Sequence, residues 1–196
     1  MRLNLLFVLF SVIFLSCSQK HYKNPHVAIE TSLGDIEVEL YVDKAPVSAG
    51  AFLSYADSGY YKNAAFYRVL NEENQSMDAF KAALIQGGIW RTNHKLFASL
   101  KGIKHETTKQ TGILHKDGVI SLARQEPGTA TTEFFICLDD QPGFDFGGEN
   151  NPDKQGYAAF GKVVKGMNIV RLIYARPEDD QAFTPPIMIY DIVRLK

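Results

Sequence analysis

Apolar and polar residues alternate along much of the chain. Val27 and Ile29, then Ile36, Val38, Leu40 and Val42, take every second position on either side of Ser32-Leu33-Gly34-Asp35. A period of two puts such side chains on one face of a strand, and the residues between suit a turn. Residues 26–31 and 36–42 are therefore expected to form a hairpin. Further strands are expected at 65–70, 83–89, 118–123, 133–138, 157–164 and 187–195. Two stretches change to a helical period. One opens at Pro46, carries Val47, Phe52, Leu53 and Ala56, and closes at Gly59. The other is 167–174, with Val170 and Ile173 on one face. Many short strands and two short helices predict a mainly β fold closed into an antiparallel barrel. Two polar segments, 71–81 and 91–111, break the pattern and are expected as long surface loops, which in compact domains often carry function.

The first sixteen residues are a separate object. A single positive charge, Arg2, precedes an almost wholly apolar run from Leu3 to Leu15. A comfortable membrane span needs roughly 20 apolar residues, whereas a signal-peptide core is this short. Phe14-Leu15-Ser16-Cys17 resembles a bacterial lipobox. The resemblance implies a lipoprotein signal peptide over 1–16, lipidation (palmitate among the acyl chains) of Cys17, and a polar tether over 17–25. Lipid on Cys17 would attach the protein to a membrane without spanning it. A plain secretory signal followed by an incidental cysteine is the competing reading. Ser18 follows Cys17 where an acidic retention signal would stand, and analogy then places the protein on the periplasmic face of a Gram-negative outer membrane. The domain proper is expected over 26–196.

Composition narrows the function. Lys plus Arg is 21 against 22 Asp plus Glu, a formal net charge of −1, so no basic surplus points to nucleic acid. Thirteen Phe and nine Tyr supply a core and argue against disorder. Two cysteines exclude a disulfide-stapled scaffold, and Cys137, inside EFFICL, is expected as a small buried hydrophobe. The five histidines lack zinc-ligand spacing, and the Asp/Asn residues of 145–153 lack the spacing of an EF-hand loop, so no metal or cofactor is expected. A monomer is the default.

Five stretches carry a family resemblance. They are Phe66-Tyr67-Arg68-Val69-Leu70, Gln86-Gly87-Gly88, Gly118-Val119-Ile120-Ser121-Leu122-Ala123-Arg124, Glu133-Phe134-Phe135-Ile136, and Ala159-Phe160-Gly161-Lys162-Val163-Val164-Lys165-Gly166-Met167. In this order and approximate spacing, from about residue 26 to the C-terminus, they resemble the cyclophilin-type peptidyl-prolyl cis-trans isomerases. The resemblance implies a closed eight-stranded barrel capped by a helix at each end. It implies a substrate as well, the peptide bond before proline in polypeptide clients, here exported proteins.

The reaction itself dictates what a site needs. Rotation about a peptide bond meets a barrier of roughly 18–20 kcal/mol, and no bond breaks, so neither nucleophile nor cofactor is required. In the twisted amide the nitrogen regains its lone pair. A cation placed there stabilises the twisted state and not the planar one. By resemblance Arg68 is that cation, always charged and rich in fixed donors. Resemblance also assigns substrate contacts to Phe66, Leu84, Gln86, Ala123, Arg124, Glu133, Phe135, Phe144 and Tyr157. Phe135 is the floor of the proline pocket, and Phe134 alternates to the opposite face.

Departures from the family pattern qualify this. Glu133 replaces a glutamine, and its carboxylate is expected to pair with Arg68. Ala83 replaces a pocket phenylalanine. The family's pocket tryptophan has no counterpart, and Phe144 is expected to line the pocket in its place. The connection from Arg68 to Gln86 is longer than usual and is expected to form a flap or short helix beside the groove. A low-activity module that binds proline-containing segments through the same fold remains the alternative.

Overall fold

The computed structural model describes residues 22–196. The expected signal peptide over 1–16 and Cys17 lie outside the described residues, as does most of the expected tether. Nine strands form: β1 (His26–Thr31), β2 (Gly34–Leu40), β3 (Ala64–Leu70), β4 (Leu84–Gly88), β5 (Val119–Leu122), β6 (Phe134–Cys137), β7 (Ala158–Lys165), β8 (Glu178–Asp179) and β9 (Ala182–Leu195). Eight of them, in the order β1-β2-β7-β5-β6-β4-β3-β9, close through a β1–β9 pairing into an antiparallel barrel. The two-residue β8 pairs with the start of β9 outside that ring.

The alternating residues do what their period dictates. Val27, Ile29, Ile36, Val38 and Leu40 all point inward and are fully buried. Helix α1 (Pro46–Asp57) starts with proline in its first turn. Its Phe52 ring enters the core and packs on Tyr61, Phe134 and Phe160 at centroid distances of 5.1, 5.4 and 4.9 Å. The Tyr61 hydroxyl, fully buried with its ring, donates to the Thr132 carbonyl at 3.0 Å, which removes the penalty of an unpaired buried polar atom. Helix α4 (Met167–Tyr174) buries Val170 and Ile173 against the same core.

The segment expected as one loop over 91–111 contains two more short helices, α2 (His94–Ser99) and α3 (Thr108–Thr111). Their starts are written in the sequence. Asn93 Oδ1 accepts from the Leu96 N–H, and Thr107 with Gln110 makes a reciprocal capping box. Both are too short to show an apolar period, and composition alone made the segment look irregular. Glu106, from the same segment, accepts the N–H groups of Val47 and Ser48 and so caps α1 from a distance.

The 71–81 segment is a compact loop without a helix. Asn71, Asn74 and Gln75 bond its own backbone: Asn71 Oδ1 accepts from Glu73 and Asn74, Asn74 Nδ2 donates to the Val69 carbonyl, and Gln75 pairs with both backbone groups of Ala82. Side-chain amides thus replace the ladder that a strand would have supplied.

Candidate active site

Outside the barrel lies a second apolar cluster, formed by Leu70, Ala82, Leu84, Phe135, Cys137 and Phe144, with Ala123 and Tyr157 packed against it. Alternation along β6 creates it. Phe134 points into the barrel, while Phe135 points out and forms the floor of this cluster. The rings of Phe135, Phe144 and Tyr157 meet edge to face, with centroids 5.1–5.3 Å apart. Cys137 lies fully buried among them, and burial pushes its thiol well above the usual range. It is the inert core residue expected.

The cluster opens into a groove of about 950 Å³. Arg68, Leu84, Gln86, Ala123, Arg124, Glu133, Phe135, Phe144 and Tyr157 all line it. Phe66 does not. Its ring is fully buried inside the barrel, edge-on to Phe134 at 5.7 Å. The cause is a β-bulge in β3: Phe66 pairs with Gly87 and Arg68 with Gln86, leaving Tyr67 as the extra residue. The bulge turns Tyr67 and Arg68 both towards the groove. Ala83 also stays outside the groove, packed on the barrel core, and Ala82 joins the pocket cluster.

The two arginines of the groove differ in what they have free. Arg124 donates to Asp153 through both terminal nitrogens (2.7 and 2.9 Å), to the Gly156 carbonyl from Nε and Nη2, and to the Gln125 carbonyl. All five of its N–H donors are used. Its guanidinium lies over the Tyr157 ring, 5.4 Å from the centroid. Arg124 is therefore a strut that fixes the 144–156 loop and the Tyr157 wall, where a rim contact to substrate was expected. Arg68 donates Nη1 to Gln86 Oε1 at 3.1 Å, and Nε and Nη2 to Gln181 Oε1 at 3.1 and 2.7 Å. Three donors are occupied and two remain for a bound peptide.

Glu133 does not pair with Arg68. Its Oε1 accepts from the N–H groups of Ile89 and Trp90 and from the Thr132 hydroxyl, and its Oε2 accepts from the Tyr67 hydroxyl at 2.5 Å. With four donors on it, Glu133 anchors the groove wall. It reaches Arg68 through a relay in which every donor points the same way. Arg68 Nη1 donates to Gln86, Gln86 Nε2 donates to the Tyr67 hydroxyl at 2.9 Å, and Tyr67 donates to Glu133. The carboxylate at the far end cannot donate, and the guanidinium at the near end cannot accept. Together they leave one orientation for the Gln86 amide.

Burial pushes the Glu133 carboxyl above its ordinary value of 4.5, against the pull of its four donors, and burial, together with the charge of Glu133, holds the Tyr67 phenol far above the usual range. The native state keeps a proton that the unfolded chain has already lost, so this group's contribution falls as pH rises from about 4.5 through the raised value. Glu133→Gln is expected to flatten that part of the stability profile, read by denaturant unfolding from pH 4 to 8. The same variant places a donor against Tyr67, which removes the acceptor that directs the relay. Turnover should fall about tenfold, near the lower bound for losing a hydrogen bond to a charged group. Unchanged turnover would show that the relay does not matter to Arg68.

The one tryptophan of the sequence, Trp90, lines the groove beside Tyr67, with ring centroids 5.6 Å apart, and two phenylalanines wall it. Phe144 is 1% exposed and walls the pocket as expected. Beside it stands Gly143, where a Cβ would lie 2.1 Å from the ring of Phe80. Phe80, carried by the 71–82 connection, covers the glycine and completes the rim. Tyr67, Phe80 and Gln181 are among the groove residues that the sequence did not point to. The first was legible only as a motif neighbour of Arg68, and the other two gave no local signal.

The chain and its fold have counterparts among known proteins. A family model described as cyclophilin type peptidyl-prolyl cis-trans isomerase/CLD matches residues 26–194. A peptidyl-prolyl cis-trans isomerase of Acinetobacter baylyi is 38% identical over 75% of this chain and 70% of its own length. Peptidyl-prolyl cis-trans isomerase B of Escherichia coli is 35% identical over 74% of this chain and 80% of its own. In structure, a cyclophilin type peptidyl-prolyl cis-trans isomerase of Cryptosporidium parvum, crystallised in the presence of the dipeptide Ala-Pro, superposes with a TM-score of 0.67. It is 24% identical and covers 87% of this chain and 99% of that one. Matched by that family model over nearly all of the barrel domain and by relatives 35% and 38% identical, the chain belongs to the cyclophilin-type peptidyl-prolyl cis-trans isomerase family.

Proposed function

We propose that this isomerase turns Xaa-Pro bonds of exported polypeptides by holding the proline ring over Phe135 and presenting Arg68 to the amide as it twists. The observation that carries the reading is the contrast between the two groove arginines: Arg124 has no donor left, and Arg68 keeps two. Leu84, Phe144 and Tyr157 shape an apolar recess for a ring. Xaa-Pro bonds are the peptide bonds that populate both isomers appreciably and exchange slowly, over tens to hundreds of seconds. No proton or electron moves. The guanidinium stabilises the pyramidal nitrogen of the twisted state, where its lone pair returns, and gains little from the planar amide. The test is the rate of isomerisation of a short Xaa-Pro peptide by the protein and by Arg68→Ala. Acceleration lost in the variant supports the reading. A folded wild type that binds such peptides without accelerating them would leave a binding module instead.

Export and attachment belong to the same reading. The apolar run before Cys17 and its lipobox-like context support lipidation of that residue and anchorage at the periplasmic face of an outer membrane. Metabolic labelling with an alkyne fatty acid is expected to mark the full chain and not Cys17→Ala. Equal labelling of both would refute it.

A further inference from the structure

Gln181 has no place in the family motifs, yet it makes more contact with Arg68 than any other side chain among the described residues. We propose that Gln181 is a positioning residue: it fixes the plane of the Arg68 guanidinium in the groove and couples it to the 71–82 loop. The proposal rests on the reading of Arg68 as the cation of the reaction.

Two acceptors on different edges define a plane, whereas one leaves it free to turn. Gln86 holds a single corner, Nη1, from β4. Gln181 Oε1 lies across the opposite edge and takes both Nε and Nη2. Together they bracket the guanidinium and leave its remaining donors aimed away from both amides. An unbracketed arginine at a solvent-filled groove would sample many rotamers, and a catalytic group works only when held near its productive geometry.

The backbone around Gln181 points the same way. Asp180 and Gln181, at φ 47° and 69°, are the two central residues of the turn that joins β8 to β9, where Asp179 pairs with Ala182. Asn-Gly or Asp-Gly would be the easy choice for a turn with both central residues left-handed. A glutamine gains nothing from that conformation for its own sake, and such strain in an over-determined position is a mark of a functional constraint. The turn is pinned to the strand that carries Arg68. Gln181 N–H donates to Glu178 Oε2 at 2.6 Å, and its carbonyl accepts from the Val69 N–H at 2.9 Å.

The other end of the amide is occupied too. Gln181 Nε2 donates to the Asn74 carbonyl in the 71–82 loop at 3.0 Å. That carbonyl can only accept, so it forces the amide oxygen towards Arg68, just as Glu133 does for Gln86 through Tyr67. The guanidinium is thereby oriented by two relays, one ending on a buried carboxylate and the other on the loop that also carries Phe80.

The test uses the full chain and turn-compatible substitutions. Gln181→Asn and Gln181→Gly both tolerate a positive φ, so the turn survives; the first is too short to reach Arg68 and the second has no amide. Turnover of a short Xaa-Pro peptide should fall about fivefold to tenfold, as for the loss of a hydrogen bond to a charged group. KM should stay within about twofold, because an interaction made in the transition state lowers kcat and not binding. Thermal stability should be unchanged or raised. The Arg68 Nε–H signal in nitrogen-resolved NMR should exchange with water faster. In an Arg68→Ala background, Gln181→Asn should change nothing further. Wild-type kcat together with unchanged Nε–H exchange would overturn the proposal, as would an equal loss in the Arg68→Ala background. If Arg68→Ala is inactive while Gln181→Asn keeps the wild-type rate, the role of Gln181 fails and that of Arg68 stands. If Arg68→Ala keeps the wild-type rate, the underlying reading fails and the role of Gln181 in catalysis falls with it.

Discussion

Arg68→Ala is expected to lower kcat/KM for Xaa-Pro isomerisation by about 10²–10³, the loss seen when one preorganised donor is removed from a developing charge. The folded state should barely notice. Arg68 is only partly buried, and the groups it leaves, the amide oxygens of Gln86 and Gln181, line an open groove where water replaces it. Arg68→Lys separates charge from shape. An ammonium keeps the charge but cannot fill the Gln86 and Gln181 acceptors while aiming two further donors in a plane. It should therefore recover only part of the activity. Arg124→Lys provides the contrast, because every donor of Arg124 is already used, four of the five on the 144–156 loop and one on the Gln125 carbonyl. Its effect should appear as lower thermal stability and higher KM, through loss of the Tyr157 wall. A wild-type rate for Arg68→Ala, measured on folded protein, would remove the assigned mechanism altogether.

Gly88→Ala is expected to be strongly destabilising and to reach the site as well. Gly88 ends β4 at φ 146°, which disfavours any side chain. A Cβ there would lie 2.3 Å from Glu133 Oε1, 2.5 Å from Cδ and 2.6 Å from Oε2. The carboxylate cannot retreat without abandoning the N–H groups of Ile89 and Trp90, which are otherwise left without their acceptor. Strain of about 1–3 kcal/mol adds to about 1–3 kcal/mol for an unsatisfied buried donor. A loss near 4 kcal/mol corresponds to a melting temperature lower by roughly 8–16 °C in a chain of this size. Activity should fall as well, since the relay to Arg68 ends on the displaced group. The double variant Gly88→Ala/Glu133→Ala removes the clash and should be more stable than the sum of the two single losses. Strict additivity, or a Gly88→Ala melting point like the wild type's, would show that the carboxylate is not what excludes a side chain there.

The motif Gln86-Gly87-Gly88 shows how far a sequence can be read. Its glycines were recognisable as a family signature, but their reason was not. Gly87 is required because a Cβ would meet the Ala65 carbonyl and the Phe66 ring, both at 2.9 Å, and Gly88 because of Glu133. One partner lies on β3 and the other just before β6. Glu133 was read as a partner of Arg68 because the two residues carry opposite charges near one groove. The fold instead surrounds the carboxylate with four donors and routes its influence through Tyr67 and Gln86. Phe66 was assigned to the groove on motif position alone, and the bulge at Tyr67 sends it into the barrel.

The alternation of apolar residues located the barrel strands to within a few residues and put Phe134 and Phe135 on opposite faces of one strand, and the helical period located α1 and α4. Those features depend on near neighbours, since the side of a strand or helix that is buried repeats with its own period. The state of Arg68 depends on none of them. Its bracketing by Gln86 and Gln181 joins residues 18 and 113 positions away. It requires the bulge in β3, the closure of β9 beside it and a left-handed turn at the end of β8. Hydrogen-bond partners across a barrel are set by strand register and by where the chain breaks it, and no local period in the sequence carries that information.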